Sequence, residues 1–327
     1  MLRRVHIRIA SVLAGIACAA LLSAAFAEET KEPGTLTFTV ENDVVSGQDR
    51  HYTNGLRIAY VTAPVTPNAL ERMLSKDGDT VRRSFSLSQQ IYTPEDLFTD
   101  TPDPDDHPYN GYLFGEASVL TERDGRWDLY TLEVGVVGEG ALGEETQNWF
   151  HRTFDFWEAE GWDTQMDTEA TVNVSYDWKG RPWAEGKIGS LDAEFTPVAG
   201  FSAGTVAINA RAGGMVRIGP ELVPNFGPAR IRPSLTGSGH FSKGGSWFVF
   251  AGVQGRAVAH DLFLEGSFFQ DSATVEAETF VADFQGGIVA EVGKAQLSWT
   301  YIARTKRYAT QDNGGDQFGA FSVGFKL

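Results

Sequence analysis

The chain is short of cysteine, of cationic residues and of long apolar runs, and each shortage narrows what it can be. Its single cysteine, Cys18, stands near the N-terminus, so neither a disulfide nor a thiolate metal site can hold the fold. Lys and Arg total 27 against 43 Asp and Glu, a net charge of −16. Such a field repels nucleic acid and attracts cations, so no nucleic-acid partner is expected. Beyond residue 27 no apolar run reaches the ~18 residues of a membrane-spanning helix. The mean hydropathy of −0.21 resembles that of a soluble protein, but a barrel wall hides its apolar residues in alternation.

The N-terminus sets the expected compartment. Arg3, Arg4 and Arg8 precede an almost wholly apolar stretch over 10–24, and Ala25-Phe26-Ala27 places small residues where a signal peptidase reads. This pattern predicts a secretory signal at 1–27 and a mature chain over 28–327. A membrane anchor is the rival, and the short apolar region counts against it. Removing a leader with three arginines and no acid makes the mature charge more negative still.

What fills the rest is period-two alternation. Leu36, Phe38 and Val40 alternate with Thr35, Thr37, Thr39 and Glu41. Val172, Val174, Tyr176 and Trp178 alternate with Asn173, Ser175 and Asp177, and Phe321, Val323, Phe325 and Leu327 with Ser322, Gly324 and Lys326. Period two is the strand signal, and an alternating terminal strand is expected of an outer-membrane barrel. The pattern predicts twelve antiparallel strands, near 35–42, 53–63, 81–91, 111–121, 126–137, 169–179, 188–199, 203–218, 245–259, 278–291, 294–305 and 316–327. Asp124-Gly125 and Gly293-Lys294 fit tight turns. A secreted β-sandwich shares this periodicity; aromatic residues at strand ends, such as Tyr60, Tyr92, Trp178 and Tyr301, favour the barrel. Counted from a periplasmic N-terminus, the connections 42–52, 91–110 and 138–168 lie outside, whereas the proline-rich 219–244 falls on the side where turns should be short.

Two motifs mislead. Gly138-x-Gly140-x-x-Gly143 has the spacing of a dinucleotide loop, but the strand before it alternates and no second parallel strand follows. The glycines are read instead as letting the chain leave the barrel rim and turn into a helix. Gly200-Phe201-Ser202-Ala203-Gly204 matches a nucleophile elbow, but it is read as a hairpin with no helix after it.

The segment at about 144–160 predicts an amphipathic helix in an extracellular loop. At 100° per residue Gln147, His151, Asp155 and Glu158 share one face, and Trp149, Phe150, Phe154, Phe156 and Trp157 fill the other. The aromatic face suits the barrel wall or lipid headgroups. Glu41-Asn42-Asp43, the run from Asp49 to Gly55, Gln90 to Asp96 and Asp106 to Gly111 are expected on the same rim as His151. Amides, carboxylates, a hydroxyl and an imidazole gathered there could hold a hard cation and leave the imidazole as base. For Asn42 and Asp43 alone, turn chemistry is the plainer reading.

The order Glu41-Asn42-Asp43, Tyr52-Thr53-x-Gly55, Ile91-Tyr92-Thr93-Pro94, Pro108-Tyr109-x-Gly111, Gly135-Val136-Val137-Gly138, Gln147-Asn148-x-x-His151 and Gly161-Trp162-x-x-Gln165 resembles the lipid A 3'-O-deacylases of Gram-negative outer membranes. The resemblance implies a twelve-stranded transmembrane β-barrel whose active site lies between the wall and a loop helix. It implies a calcium-dependent hydrolysis that removes the 3'-linked acyl or acyloxyacyl group, with Ca2+ as cofactor and lipid A or lipopolysaccharide of the outer leaflet as substrate. Asn42 and Asp43 match the family's metal-binding pair, Thr53 its threonine, His151 its catalytic histidine and Gln147 the first residue of its helix motif. Glu139 stands where the family has proline, and the second outer loop carries Asp106-His107-Pro108 where an arginine often precedes the proline. Asp155 and Glu158 are unmatched candidates for orienting His151 or binding calcium. Membrane lipids are the expected surroundings and a monomer the expected state. A non-catalytic pore, or a phospholipid hydrolase of the same mechanism, is the alternative.

Overall fold

The computed structural model describes residues 33–43, 50–223, 227–231, 239–241, 246–311 and 314–327. The expected leader over 1–27 lies outside the described residues. The strands are β1 (Thr35–Asn42), β2 (His51–Val61), β3 (Thr80–Thr93), β4 (Asn110–Arg123), β5 (Arg126–Val137), β6 (Glu169–Lys179), β7 (Ala184–Ile188), β8 (Leu191–Gly204), β9 (Ala207–Gly219), β10 (Trp247–Asp261), β11 (Phe280–Val292), β12 (Ala295–Arg304) and β13 (Asp316–Lys326). Three α-helices interrupt them: α1 (Ala69–Leu74), α2 (Gly143–Phe154) and α3 (Leu262–Glu265).

Every strand pairs antiparallel with its neighbour in sequence, β1 pairs with β13, and β6 passes over β7 to pair with β8. The result is a closed ring of twelve strands, with β7 as a short spur held only by β8. Closure removes every sheet edge, which backbone in hydrocarbon requires. Asp124 and Gly125, both at positive φ (50° and 74°), make the β4–β5 turn, and Gly293 at φ 65° makes the β11–β12 turn. These two-residue turns lie at the end of the chain termini, which marks that end as periplasmic.

Alternation sorts the side chains between lipid and lumen. In β1, Thr35, Thr37, Thr39 and Glu41 are buried inward, while Phe38 and Val40 are 45% and 44% exposed on the outer wall. Their outward neighbours on the flanking strands, Leu56, Ile58 and Phe321, are exposed too. An exposed apolar belt of this extent is costly in water and neutral in lipid. The lumen is crossed by ion pairs, Arg57–Glu116 at 2.8 Å, Arg304–Asp283 at 2.7 Å and Arg230–Glu41 at 2.6 Å. Above them Tyr52, Tyr92, Tyr112, Phe114, Phe263 and Phe318 form an apolar cluster inside the barrel.

The elements differ from the sequence expectation in three places. The strand foreseen at 188–199 is β8, which runs on through Gly204, so Gly200–Gly204 pairs with β6 as strand and not as a hairpin. The turn falls at Thr205 and Val206, because the Thr205 amide bonds to Val172 O and ties the turn to β6. Ser202 is a wall residue whose Oγ accepts from Arg211 Nη1 at 2.9 Å. Second, α1 was not foreseen; it is short, with a capping box in which Asn68 Oδ1 accepts from the Glu71 amide and Glu71 Oε2 from the Asn68 amide. Third, the long β9–β10 connection does not hang below the barrel. Its described part over 227–231 lies within the lumen, where the Ile231 amide donates to Glu41 Oε1 at 2.9 Å.

Candidate active site on the outer wall

The glycine-rich segment after β5 explains how a helix comes to lie against the wall. Gly138 turns at φ 77°, and a Cβ there would lie 2.3 Å from Met166 O. The chain then makes a single 3-10 turn (Gly138–Ala141), and Leu142 enters α2 from a left-handed conformation. Gly143 and Gly111 meet face to face: a Cβ on Gly143 would lie 3.0 Å from Gly111 Cα and 2.9 Å from Trp162 Cη2. Gln89, pointing outward from β3, donates to the carbonyls of Ala141 and Leu142 at 2.7 and 3.0 Å. The helix is therefore seated by bare backbone contact and by one amide, as the reading of those glycines expected.

From this seat the helix and the wall enclose a pocket lined by Asn42, Thr53, Asn54, Thr146, Gln147, Phe150, His151 and Phe156. It lies outside the barrel. Asn42 follows the outward Val40 by two residues, and Asn54 precedes the outward Leu56 by two, so the pocket sits at the top of the lipid-facing belt. The wall side is set by a β-bulge: the β2–β3 register slips between Tyr52 and Asn54, with Thr53 as the extra residue. Asn42 Nδ2 donates to Thr53 O at 2.8 Å, and Thr53 Oγ1 shares a 2.7 Å hydrogen bond with Thr93 Oγ1.

The helix side presents two defined polar atoms. His151 Nδ1 bonds to the Trp157 carbonyl. A carbonyl only accepts, so Nδ1 carries the proton and Nε2 is the basic nitrogen. That carbonyl is brought back by the helix end: Asp155 takes φ 62°, and the amides of Asp155 and Phe156 both bond to His151 O. Gln147 Oε1 accepts from Trp162 Nε1 at 2.8 Å, and since the indole can only donate, the amide orientation is fixed. Its Nε2 is buried and makes no hydrogen bond. Trp162 is held behind the helix by Tyr109, Ile91, Leu97 and Ala159.

Asn42, Thr53, Gln147 and His151 thus line one pocket, as expected from sequence. Asp43 is adjacent and buried but is not among the lining residues; its Oδ2 accepts from the Arg50 amide at 2.6 Å. Asp155 and Glu158 do not share the face of His151. The helix stops at Phe154, where the left-handed turn diverts the chain, and Glu158 pairs with Arg152 on the exposed side at 3.0 Å. Asp106 and His107 share the rim but not the pocket. His107 Nδ1 donates to Pro108 O at 2.8 Å and Nε2 accepts from Arg307 at 3.1 Å, while burial, Arg307 and His51 lower its pKa to about 3. Sequence reasoning missed Gln89, Trp157 O and the role of Trp162; of these only Trp162 carried a signal, in the Gly161-Trp162 motif.

The donors near the pocket suit a hard cation in kind. Asn42, Asp43 and Thr53 offer an amide oxygen, a carboxylate and a hydroxyl, all oxygen. Among the described residues no three His, Cys, Asp or Glu side chains converge on one point, so Asp43 would be the main anionic donor and other oxygens would complete the shell.

A closed twelve-stranded barrel with a lipid-facing belt and a pocket on its outer wall defines an outer-membrane β-barrel protein. Residues 13–327 match the family model described as outer membrane protein LpxR, and the chain belongs to that family. Its fold is that of LpxR from Salmonella typhimurium: the two superpose with a TM-score of 0.73 at 19% identity, covering 90% of this chain and 100% of that one. The β domain of the Bordetella autotransporter BrkA is a more distant match, with a TM-score of 0.44 at 11% identity over 90% of this chain and 99% of the other. No curated protein matches by sequence.

Proposed function

We propose that the protein is a calcium-dependent lipid A 3'-O-deacylase. The observation that carries this reading is the position of His151 and Gln147 opposite Asn42 and Thr53 in a pocket outside the barrel, above the lipid-facing belt. An acyl ester of an outer-leaflet lipid has its carbonyl at this depth, and Val40, Leu56 and Phe321 offer an apolar track below it.

The residues fit the chemistry. His151 Nε2 takes the proton from a water molecule as the water oxygen attacks the ester carbonyl. The Trp157 carbonyl, holding Nδ1–H, keeps the ring in that tautomer and stabilises the imidazolium that forms. Gln147 Nε2 donates to the carbonyl oxygen as it gains charge. His151 then returns the proton to the sugar oxygen, releasing a fatty acid and the 3'-hydroxyl. Asn42, Asp43 and the Thr53 region would hold calcium, which when bound supplies further positive charge for that oxygen.

Mass spectrometry of lipid A from cells expressing the protein tests this. The expected result is loss of the 3'-linked acyl group, abolished by chelation of calcium and by His151→Ala. Unchanged lipid A with calcium present would reject the reading, and release of acyl chains from phospholipid alone would reassign the substrate.

A further inference from the structure

The luminal segment over 227–231 touches the reverse side of the pocket wall. Arg230 Nε donates to Glu41 Oε1 at 2.6 Å, and Tyr52 OH donates to Glu41 Oε2 at 2.8 Å. The Ile231 amide bonds to Glu41 Oε1 at 2.9 Å, and Arg57 Nη1 closes the set on Arg230 O at 3.1 Å. Arg230 and Glu41 side chains are 2% and 1% exposed.

Glu41 and Tyr52 are the residues immediately before Asn42 and Thr53. Successive side chains on a strand point to opposite faces, so the inward pair is the back of the outward pair. The arrangement matters most at Thr53. As the extra residue of a bulge it stands outside the regular ladder, and such residues are placed by what flanks them. Its flank on the luminal side is Tyr52, fixed through Glu41 to Arg230.

We infer that Arg230, Glu41 and Tyr52 form a positioning unit, through which a segment inserted from the periplasmic side holds Asn42 and Thr53 at the pocket on the opposite face of the wall. The inference rests on the proposed deacylase for its activity arm only. None of these three residues touches the pocket.

The experiment uses the full-length protein refolded in detergent, with Arg230→Met, Glu41→Gln, the double variant, and Arg230→Lys as the conservative control. Folding is scored by the heat-dependent gel shift of a closed barrel. Amide exchange is followed in peptides covering 41–43 and 52–54, with β10 and β11 peptides as reference. Folded Arg230→Met is expected to exchange at least tenfold faster at 52–54 with the reference unchanged. Its kcat on lipid A should fall at least tenfold with KM within about twofold, and Arg230→Lys should recover most of both. Folded Arg230→Met with wild-type exchange at 52–54 overturns the inference. If Arg230→Met does not fold, Glu41→Gln and Arg230→Lys are read by the same criteria. If wild-type protein does not deacylate lipid A, the functional reading fails while the exchange arm still decides the positioning role.

Discussion

His151 and Trp157, six positions apart, are joined by a hydrogen bond from the ring Nδ1 to the backbone carbonyl, made possible by the left-handed turn at Asp155. The bond does for the imidazole what a buried carboxylate does in many hydrolases: it fixes the tautomer and leaves Nε2 basic. Because a backbone carbonyl is the acceptor, no side-chain substitution at Trp157 can remove it.

The turn, however, can be disturbed. Asp155→Val forces a β-branched residue into positive φ, at a cost of about 1–2 kcal/mol by the steric penalty of that region. Deacylation should fall about tenfold or more, with Asp155→Gly near wild type, since glycine adopts this conformation freely. His151→Ala should lose ~10²–10⁴-fold, the usual worth of a positioned base. Initial rates on purified lipid A check all three. An Asp155→Val enzyme as fast as Asp155→Gly would mean that the turn does not set the ring.

Gly143→Val should unseat the helix without opening the barrel. A Cβ at Gly143 would press on Gly111 Cα and the Trp162 ring, both fixed. The variant is expected to keep the heat-dependent gel shift of a closed barrel, to lose most activity, and to show altered tryptophan emission as Trp162 is released. Wild-type emission and activity together would refute this account of the helix seat.

Much of this was legible in the sequence because the relevant physics is periodic or local. Alternation at Phe38 and Val40 gave the wall, and Asp124-Gly125 gave its turn, since φ > 0 at both positions demands such residues. The cluster of Asn42, Thr53, Gln147 and His151 was legible only through resemblance, because nothing in spacing says which connections fold toward each other. The end of α2 was misjudged because aromatic residues continue the helical pattern past Phe154, while Asp155 stops it by a backbone conformation that pattern does not record. The luminal insertion of 227–231 was invisible for a related reason: Arg230 finds Glu41 across a separation of 189 residues.

That insertion bears on conduction. With Arg230, Ile231 and the cluster around Phe263 and Phe318 inside the barrel, the lumen lacks the water-filled bore of a general porin. Planar-bilayer recordings should show conductance well below that of a general porin of comparable strand number. Steady porin-like channels, insensitive to His151→Ala, would favour a pore.

Acid should loosen the outer mouth before it unfolds the wall. Asp106, in the β3–β4 connection, accepts from Tyr308 OH at 2.6 Å and from the amides of Glu95 and His107 at 2.7 and 2.6 Å, and lies 3.3 Å from His51 Nε2. Burial alone would raise its pKa, but the bonds from His51, Tyr308 and the two amides outweigh it and hold the carboxyl well below the usual carboxylate range. A folded-state pKa lower than the unfolded one gives stability that is present above the unfolded value, ~3.9, and lost as pH falls toward the folded one. The connection over 94–109 should therefore stay protected at neutral pH and become more mobile below about pH 4, while the strands remain closed. Amide exchange of peptides from 94–109, corrected for the intrinsic pH dependence of exchange, measures this. In Asp106→Asn the protection should be lower at neutral pH and nearly flat with pH, because the titrating group is gone. If Asp106→Asn tracks wild type at every pH, the carboxyl is not what ties the connection to Tyr308 and His51.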